Sequence, residues 1–133
     1  MLTGGCLCGA LRYEARGTPF HETLCHCSDC RRAFGAPAIA WFSVRRPEFH
    51  WVTGEPATYQ SSPGVTRGFC RRCGTSLFYA GDEWPDEIDV ATATLDDPGA
   101  LPPRDHTYER DRLAWLILGD SLPRFGTRRP GGT

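Results

Sequence analysis

The stretch VTRGFCRRCGTSLFYAG, residues 65–81, reads as two strands joined through a metal knuckle. Its arms, 65–70 and 75–81, are rich in Val, Phe, Leu, Tyr and Thr, which suit a pleated, half-buried surface. Between them Cys70 and Cys73 precede Gly74, so a tight turn can bring two sulfurs to one ion. Further strand signals lie on both sides. ALRYEA (10–15) alternates Leu11, Tyr13 and Ala15 with polar neighbours. PAIAWFSV (37–44) is apolar on both parities and is expected to be a central strand covered on both faces. HWVTG (50–54) and ATYQS (57–61) read as a pair of short strands around Gly54 and Pro56, and EIDVATATL (87–95) as a further strand. RGTP, SSPG, EWPD and DDPGALPP supply the turns.

Helix signals are few. Ser28 or Asp29 can cap a short turn through CRRAFG, with Gly35 as its stop, and periodicity does not decide between helix and strand for 110–118. The expected fold is mainly β, a single domain with zinc knuckles and one or two short helical turns. Residues 127–133 offer no apolar anchor and are expected to fray.

At 133 residues one domain is the default, and 40% hydrophobic with 23% charged residues argues against wholesale disorder. A net charge of -1 gives no field for nucleic acid or an anionic membrane, so neither is expected as a partner. All fifteen basic residues are Arg, which excludes Schiff-base and P-loop lysine chemistry and favours bidentate recognition of carboxylates. The opening MLTGGCLCG has no basic start and no apolar run of export-signal length. A cytoplasmic, reducing setting is therefore expected, where clustered cysteines signal metal or catalysis.

Seven cysteines cannot all pair as disulfides, and the one-residue gaps in Cys6–Cys8 and Cys25–Cys27 would strain such bonds. Cys6 and Cys8 with Gly9 form a shorter relative of the Cys70–Cys73 knuckle. Together the two pairs make a closed four-thiolate site. Cys25, Cys27 and Cys30 remain. Three protein ligands with one vacant position is the arrangement of catalytic zinc. The other reading is a second structural zinc completed by His26, His21 or His106.

The blocks GGCLCGALRY, CHCSDCRRAFGAP, FCRRCGTSLFY and LPRFGT, from Gly4 to about Gly126, resemble the glutathione-dependent formaldehyde-activating enzyme (GFA) family, which shares its domain with centromere protein V. The resemblance implies a GFA-type zinc-binding domain over 1–126, a β-tent sheet sandwich, and two Zn2+ per chain. Cys6, Cys8, Cys70 and Cys73 would hold the structural ion, and Cys25, Cys27 and Cys30 the catalytic one. It further implies a carbon–sulfur lyase that adds glutathione or a similar thiol to formaldehyde or another small aldehyde. A zinc centre under three thiolates would carry a net charge of -1 and be a weaker Lewis acid than one held by three histidines, which favours thiolate delivery over carbonyl activation.

Arg31 and Arg32, directly after the open site, are candidates to clamp a substrate carboxylate. His26 is a candidate for the site lining or for proton transfer, and His106 is a further candidate. Phe34, Trp41 and Phe42 suit either a pocket wall or core, and Arg71 and Arg72 read as exposed turn residues. The competing classes are a non-catalytic zinc-stabilised binding module and a redox-sensing or metal-buffering protein.

Overall fold

A computed structural model describes residues 1–132; Thr133, the end of the tail expected to fray, lies outside them. The strands are β1 (Leu2–Gly5), β2 (Arg12–Ala15), β3 (Phe20–Cys25), β4 (Ile39–Arg45), β5 (Phe49–Thr53), β6 (Ala57–Ser62), β7 (Val65–Phe69), β8 (Ser76–Gly81), β9 (Glu87–Ala91) and β10 (Asp105–Thr107). One α-helix, α1 (Ser28–Phe34), joins β3 to β4. The strands make a three-stranded sheet, β1-β2-β5, and a seven-stranded sheet, β10-β3-β4-β9-β8-β7-β6. The mainly β, single-domain sheet sandwich read from the sequence is the observed architecture.

β4 shows why a run apolar on both parities belongs in the middle. Phe42 and Val44 enter the main core with Tyr13, Leu77, Ile88 and Val90, against the small sheet. Trp41 takes the other face, with Ile39, Ala91, Cys25 and Cys30. Each fully buried aromatic or branched side chain contributes roughly 1.5–3 kcal/mol. The second face is where the helix and the candidate site sit.

Several local expectations change. HWVTG and ATYQS are strands, but they do not pair: β5 joins β2 and β6 joins β7. Gly54 between them has φ +78, and a Cβ there would lie 2.3 Å from the Ala10 carbonyl oxygen. This left-handed turn lets the chain cross from one sheet to the other instead of reversing. The strand expected over 87–95 stops at Ala91 and gives way to a 3-10 turn over Thr92–Thr94. Residues 110–118 form neither a strand nor an α-helix: a 3-10 turn, Glu109–Asp111, is followed by irregular chain. The tail carries an ionic anchor in place of an apolar one, with buried Arg129 donating to Asp105 at 2.9 and 3.0 Å.

Candidate metal centres and the cleft beside them

Two local turns build the first cysteine cluster. After β1, Gly9 N–H closes on Cys6 O at 3.2 Å, and between β7 and β8 Gly74 N–H closes on Cys70 O at 2.8 Å. Both glycines sit near φ +80. Backbone N–H groups aim at sulfur: Leu11 at Cys6 Sγ (3.2 Å) and Cys73 at Cys70 Sγ (3.4 Å). The Leu7 N–H donates to Thr75 Oγ1 at 3.1 Å and ties the two turns together. Cys73 is drawn down to about 5, first by its hydrogen bond with Thr75. Cys6, Cys8, Cys70 and Cys73 bring their sulfurs within 4.8 Å of one another.

The spacings test whether an ion fits. Sulfurs 2.3 Å from one tetrahedral ion stand about 3.8 Å apart, whereas a disulfide needs roughly 2 Å. Cys6–Cys8 is 3.6 Å and Cys8–Cys70 is 3.9 Å. These are ion-sharing distances. One turn belongs to the small sheet and the other to the large one, so a shared ion would staple the two layers.

The second cluster forms where β3 runs into α1. Cys27 itself is the N-cap: its Sγ accepts from Cys30 N–H at 3.3 Å, in place of the expected Ser28 or Asp29. Gly35, left-handed at φ 62, ends the helix as expected. Cys25 and Cys30 sulfurs are 3.8 Å apart, again an ion-sharing distance. Among the described residues no fourth His, Cys, Asp or Glu joins Cys25, Cys27 and Cys30. Hydrogen bonds from Cys25 and then Cys30 pull Cys27 down to about 2, and the Cys27 hydrogen bond pushes Cys25 up.

This trio opens onto a cleft of about 180 Å³ on the second face of the large sheet. Trp41, Thr107 and Tyr108 wall it beside the sulfurs. Arg67 also lines it, both Nη atoms 3.9 Å from Cys30 Sγ and the guanidinium 5.2 Å over the Tyr79 ring. Ser61 accepts from Arg67 Nε at 3.1 Å, and no carboxylate pairs with Arg67 among the described residues. The non-glycine residues with positive φ, His21 and Tyr108 (both φ 53), both line this cleft. Backbone strain gathers at functional sites.

Asp89 lies in the same cleft. Its pKa is pushed up to about 7, first by burial; the Ser43 hydroxyl and Arg129 oppose this and Glu87 adds to it. Below about pH 3 folded and unfolded chains both keep the proton. Between there and pH 7 the unfolded chain ionises first, and above pH 7 the penalty on the folded state is complete. It is at most about 4 kcal/mol, and water in the cleft reduces it. Asp89→Asn is expected to raise Tm at pH 8 by several degrees and to leave it unchanged at pH 3. Equal shifts at both pH values in thermal melts would exclude this account.

The other candidate residues are placed as follows. Arg31 and Arg32 lie in the last turn of α1, do not line the cleft, and Arg32 is exposed. His26 turns away from the cleft and is 0% exposed. Its Nε2 lies 2.9 Å from His106 Nδ1, and His106 Nε2 lies 3.0 Å from Asp120. A carboxylate only accepts, so His106 donates to Asp120 through Nε2 and accepts from His26 through Nδ1. With His26 N–H on Thr107 O at 3.0 Å, this chain anchors the Cys25–Cys27 loop to β10 and the residues beyond it. Glu109 completes a third donor cluster with these histidines, but its Oε1 already accepts from Arg112 and Arg124. Phe34 packs edge-on to Trp41, and Phe42 is core. Arg71 and Arg72 are exposed.

A family model described as glutathione-dependent formaldehyde-activating enzyme matches residues 1–111. An uncharacterized lyase of Schizosaccharomyces pombe is 32% identical over 77 residues, 58% of this chain and 56% of that protein. The chain thus spans a little over half the length of that curated relative. A crystal structure of a Rhodobacter sphaeroides protein has a TM-score of 0.58 at 26% identity, covering 92% of this chain and 98% of that one. No helix among the described residues is long and apolar enough to cross a membrane.

Proposed function

This chain belongs to the glutathione-dependent formaldehyde-activating enzyme family, and from that premise we propose that it is a lyase-type zinc enzyme joining a thiol to formaldehyde or another small aldehyde. The observation that carries the reading is the trio Cys25, Cys27 and Cys30, one ligand short of a closed set and facing a cleft. Cys6, Cys8, Cys70 and Cys73 would hold a second, structural Zn2+. Zinc held by the trio would supply an open coordination position at which a thiol is deprotonated near neutral pH. In the overall addition a sulfur–carbon bond forms, the carbonyl π bond opens, and the proton lost by the thiol ends on oxygen. Seven free thiols suit a reducing, cytoplasmic setting.

The chain's own residues orient the reactants. Trp41 and Tyr79 remove water from one wall, and the stacked guanidinium of Arg67 offers two donors beside the sulfurs to a carboxylate on the thiol, glutathione included. Arg67 takes the role expected of Arg31 and Arg32 because it faces the cleft. Arg67→Gln is expected to raise KM for a carboxylate-bearing thiol by roughly 10–100-fold and to leave a neutral thiol such as 2-mercaptoethanol nearly unchanged. The same change at Arg31 or Arg32 is expected to have little effect on either. An Arg31 or Arg32 variant with the larger KM effect would return the anchor to α1.

The test of the function is metal analysis joined to carbon-13 NMR of formaldehyde mixed with several thiols. Two zincs and acceleration with at least one thiol support the enzyme. Acceleration with none leaves a zinc-stabilised binding module.

A further inference from the structure

We propose that His26, His106 and Asp120 are positioning residues for the cysteine trio: the relay they form fixes the short link between β3 and α1, and with it the convergence of Cys25, Cys27 and Cys30 on one ion. This rests on the reading of the trio as a ligand set.

The link is where the trio could come apart. Cys25 closes β3 and Cys30 lies in the first turn of α1, so each is held by its own element. Only His26 and Cys27 join the two elements. Their backbone angles set the direction in which α1 leaves the sheet, and hence the 3.8 Å between the Cys25 and Cys30 sulfurs. Three thiolates repel one another. Among the described residues no fourth His, Cys, Asp or Glu helps to hold them together. Each link residue left free would cost roughly 1–2 kcal/mol to order when an ion binds.

The relay removes that freedom from the side away from the cleft. His26 and His106 are both 0% exposed, and neither they nor Asp120 line the cleft. His26 Nε2 donates to His106 Nδ1 at 2.9 Å, and His106 Nε2 donates to Asp120 Oδ2 at 3.0 Å. The His26 backbone N–H is tied to Thr107 O, so ring and backbone are fixed together. The far end is held too. His106 N–H donates to Pro123 O at 2.8 Å, and Phe125 N–H donates to His106 O at 2.9 Å. Asp120 Oδ1 accepts from Leu122 N–H at 3.0 Å and from Arg124 at 3.4 Å, and Arg124 also reaches Glu109.

The polar choice carries information. A leucine at position 26 could be buried without any partner. Two histidines ending on a carboxylate instead specify one ring orientation, as outer-shell partners do for metal-ligating histidines. The relay touches neither the cleft nor a sulfur, so its effect reaches the chemistry only through the shape of the trio.

The test is zinc affinity at each site, by competition with a colorimetric chelator, with cobalt(II) absorption reporting thiolate coordination. Cys27→Ser, which lacks a trio ligand, marks the zinc that belongs to the four-cysteine set. His26→Leu is expected to weaken the trio's zinc by roughly 10–100-fold, and Asp120→Ala by about tenfold. His26→Gln keeps a donor near the Nε2 position and Asp120→Asn keeps the acceptor, so both should stay within about threefold of the unaltered protein. Because His26 and Asp120 act through one relay, the double variant His26→Leu with Asp120→Ala should lose no more than His26→Leu alone. The four-cysteine zinc and the circular dichroism spectrum should not change. Should His26→Leu fail to fold, Asp120→Ala and Asp120→Asn carry the test, since Asp120 is partly exposed. Equal weakening at both zinc sites would reduce the relay to a general structural role and overturn the proposal. Unchanged affinity in Asp120→Ala, no rescue by the conservative variants, or additive losses would overturn it too. The expected affinities with no thiol accelerated in the carbon-13 assay would uphold the relay and defeat the enzyme. A single zinc in the unaltered protein would defeat the trio as a ligand set and the relay with it.

Discussion

Cys27→Ser is expected to lose one zinc equivalent and to return thiol–aldehyde addition to the uncatalysed rate, with the fold intact. The fold survives because of what Cys27 does besides facing the cleft. Its sulfur caps α1 through Cys30 N–H, and serine is among the best N-cap residues. The variant thus deletes a metal ligand while keeping a cap of the same hydrogen-bonding sense. Cys27 is also only partly buried, so the swap leaves no core cavity. Metal analysis, a thermal melt and the carbon-13 assay check the three parts. A variant that keeps both metals would remove Cys27 from the ligand set. One that loses its metal and melts as early as a Cys70 variant would make the trio a structural site.

Cys70→Ser should do the opposite, with the fold lost first. Cys70 is 2% exposed, accepts from Cys73 N–H, and belongs to the set bridging the two sheets. Structural zinc contributes roughly 10 kcal/mol in small zinc peptides. Domains of this size are stable by about 5–15 kcal/mol in total. Even half of that zinc contribution would consume much of the margin. The expected result is a Tm lowered by more than about 15 °C, zinc content reduced by at least one equivalent, and largely unfolded protein at 37 °C. Circular dichroism melts beside metal analysis measure this, and a Tm within a few degrees of the unaltered protein would show that the bridge is dispensable.

The sequence made the knuckles legible because a C-x-x-C-G turn closes within five residues and needs nothing from the rest of the chain. β4 was legible because residues apolar on both parities have only one place to go in a layered fold. β3 and β10 were missed: β3 carries His21 and Glu22 amid its apolar positions, and β10 is only three residues long and parallel to β3. The pairing of β5 with β6 was misread because a short Gly–Pro link is equally compatible with reversal and with a change of sheet, and only tertiary packing decides. The cleft residues were the least visible. Arg67, Tyr79, Asp89 and Ser43 are scattered in sequence and meet only through register. Arg31 and Arg32 drew attention by proximity in sequence, yet α1 turns them out of the cleft that the helix borders.

The β7–β8 hairpin holds Cys70 and Cys73 in its turn and carries Arg67 and Tyr79 on its arms. The two clusters are therefore unequal in an order of assembly. If that turn closes around an ion, as proposed, the ion fixes the hairpin's seat on the small sheet and steadies one wall of the cleft beside the trio. Metal scarcity would then be felt in sequence. A chain short of zinc would go without a shaped cleft before it went without an open ligand trio, and supplying metal to the trio alone would not restore the substrate site.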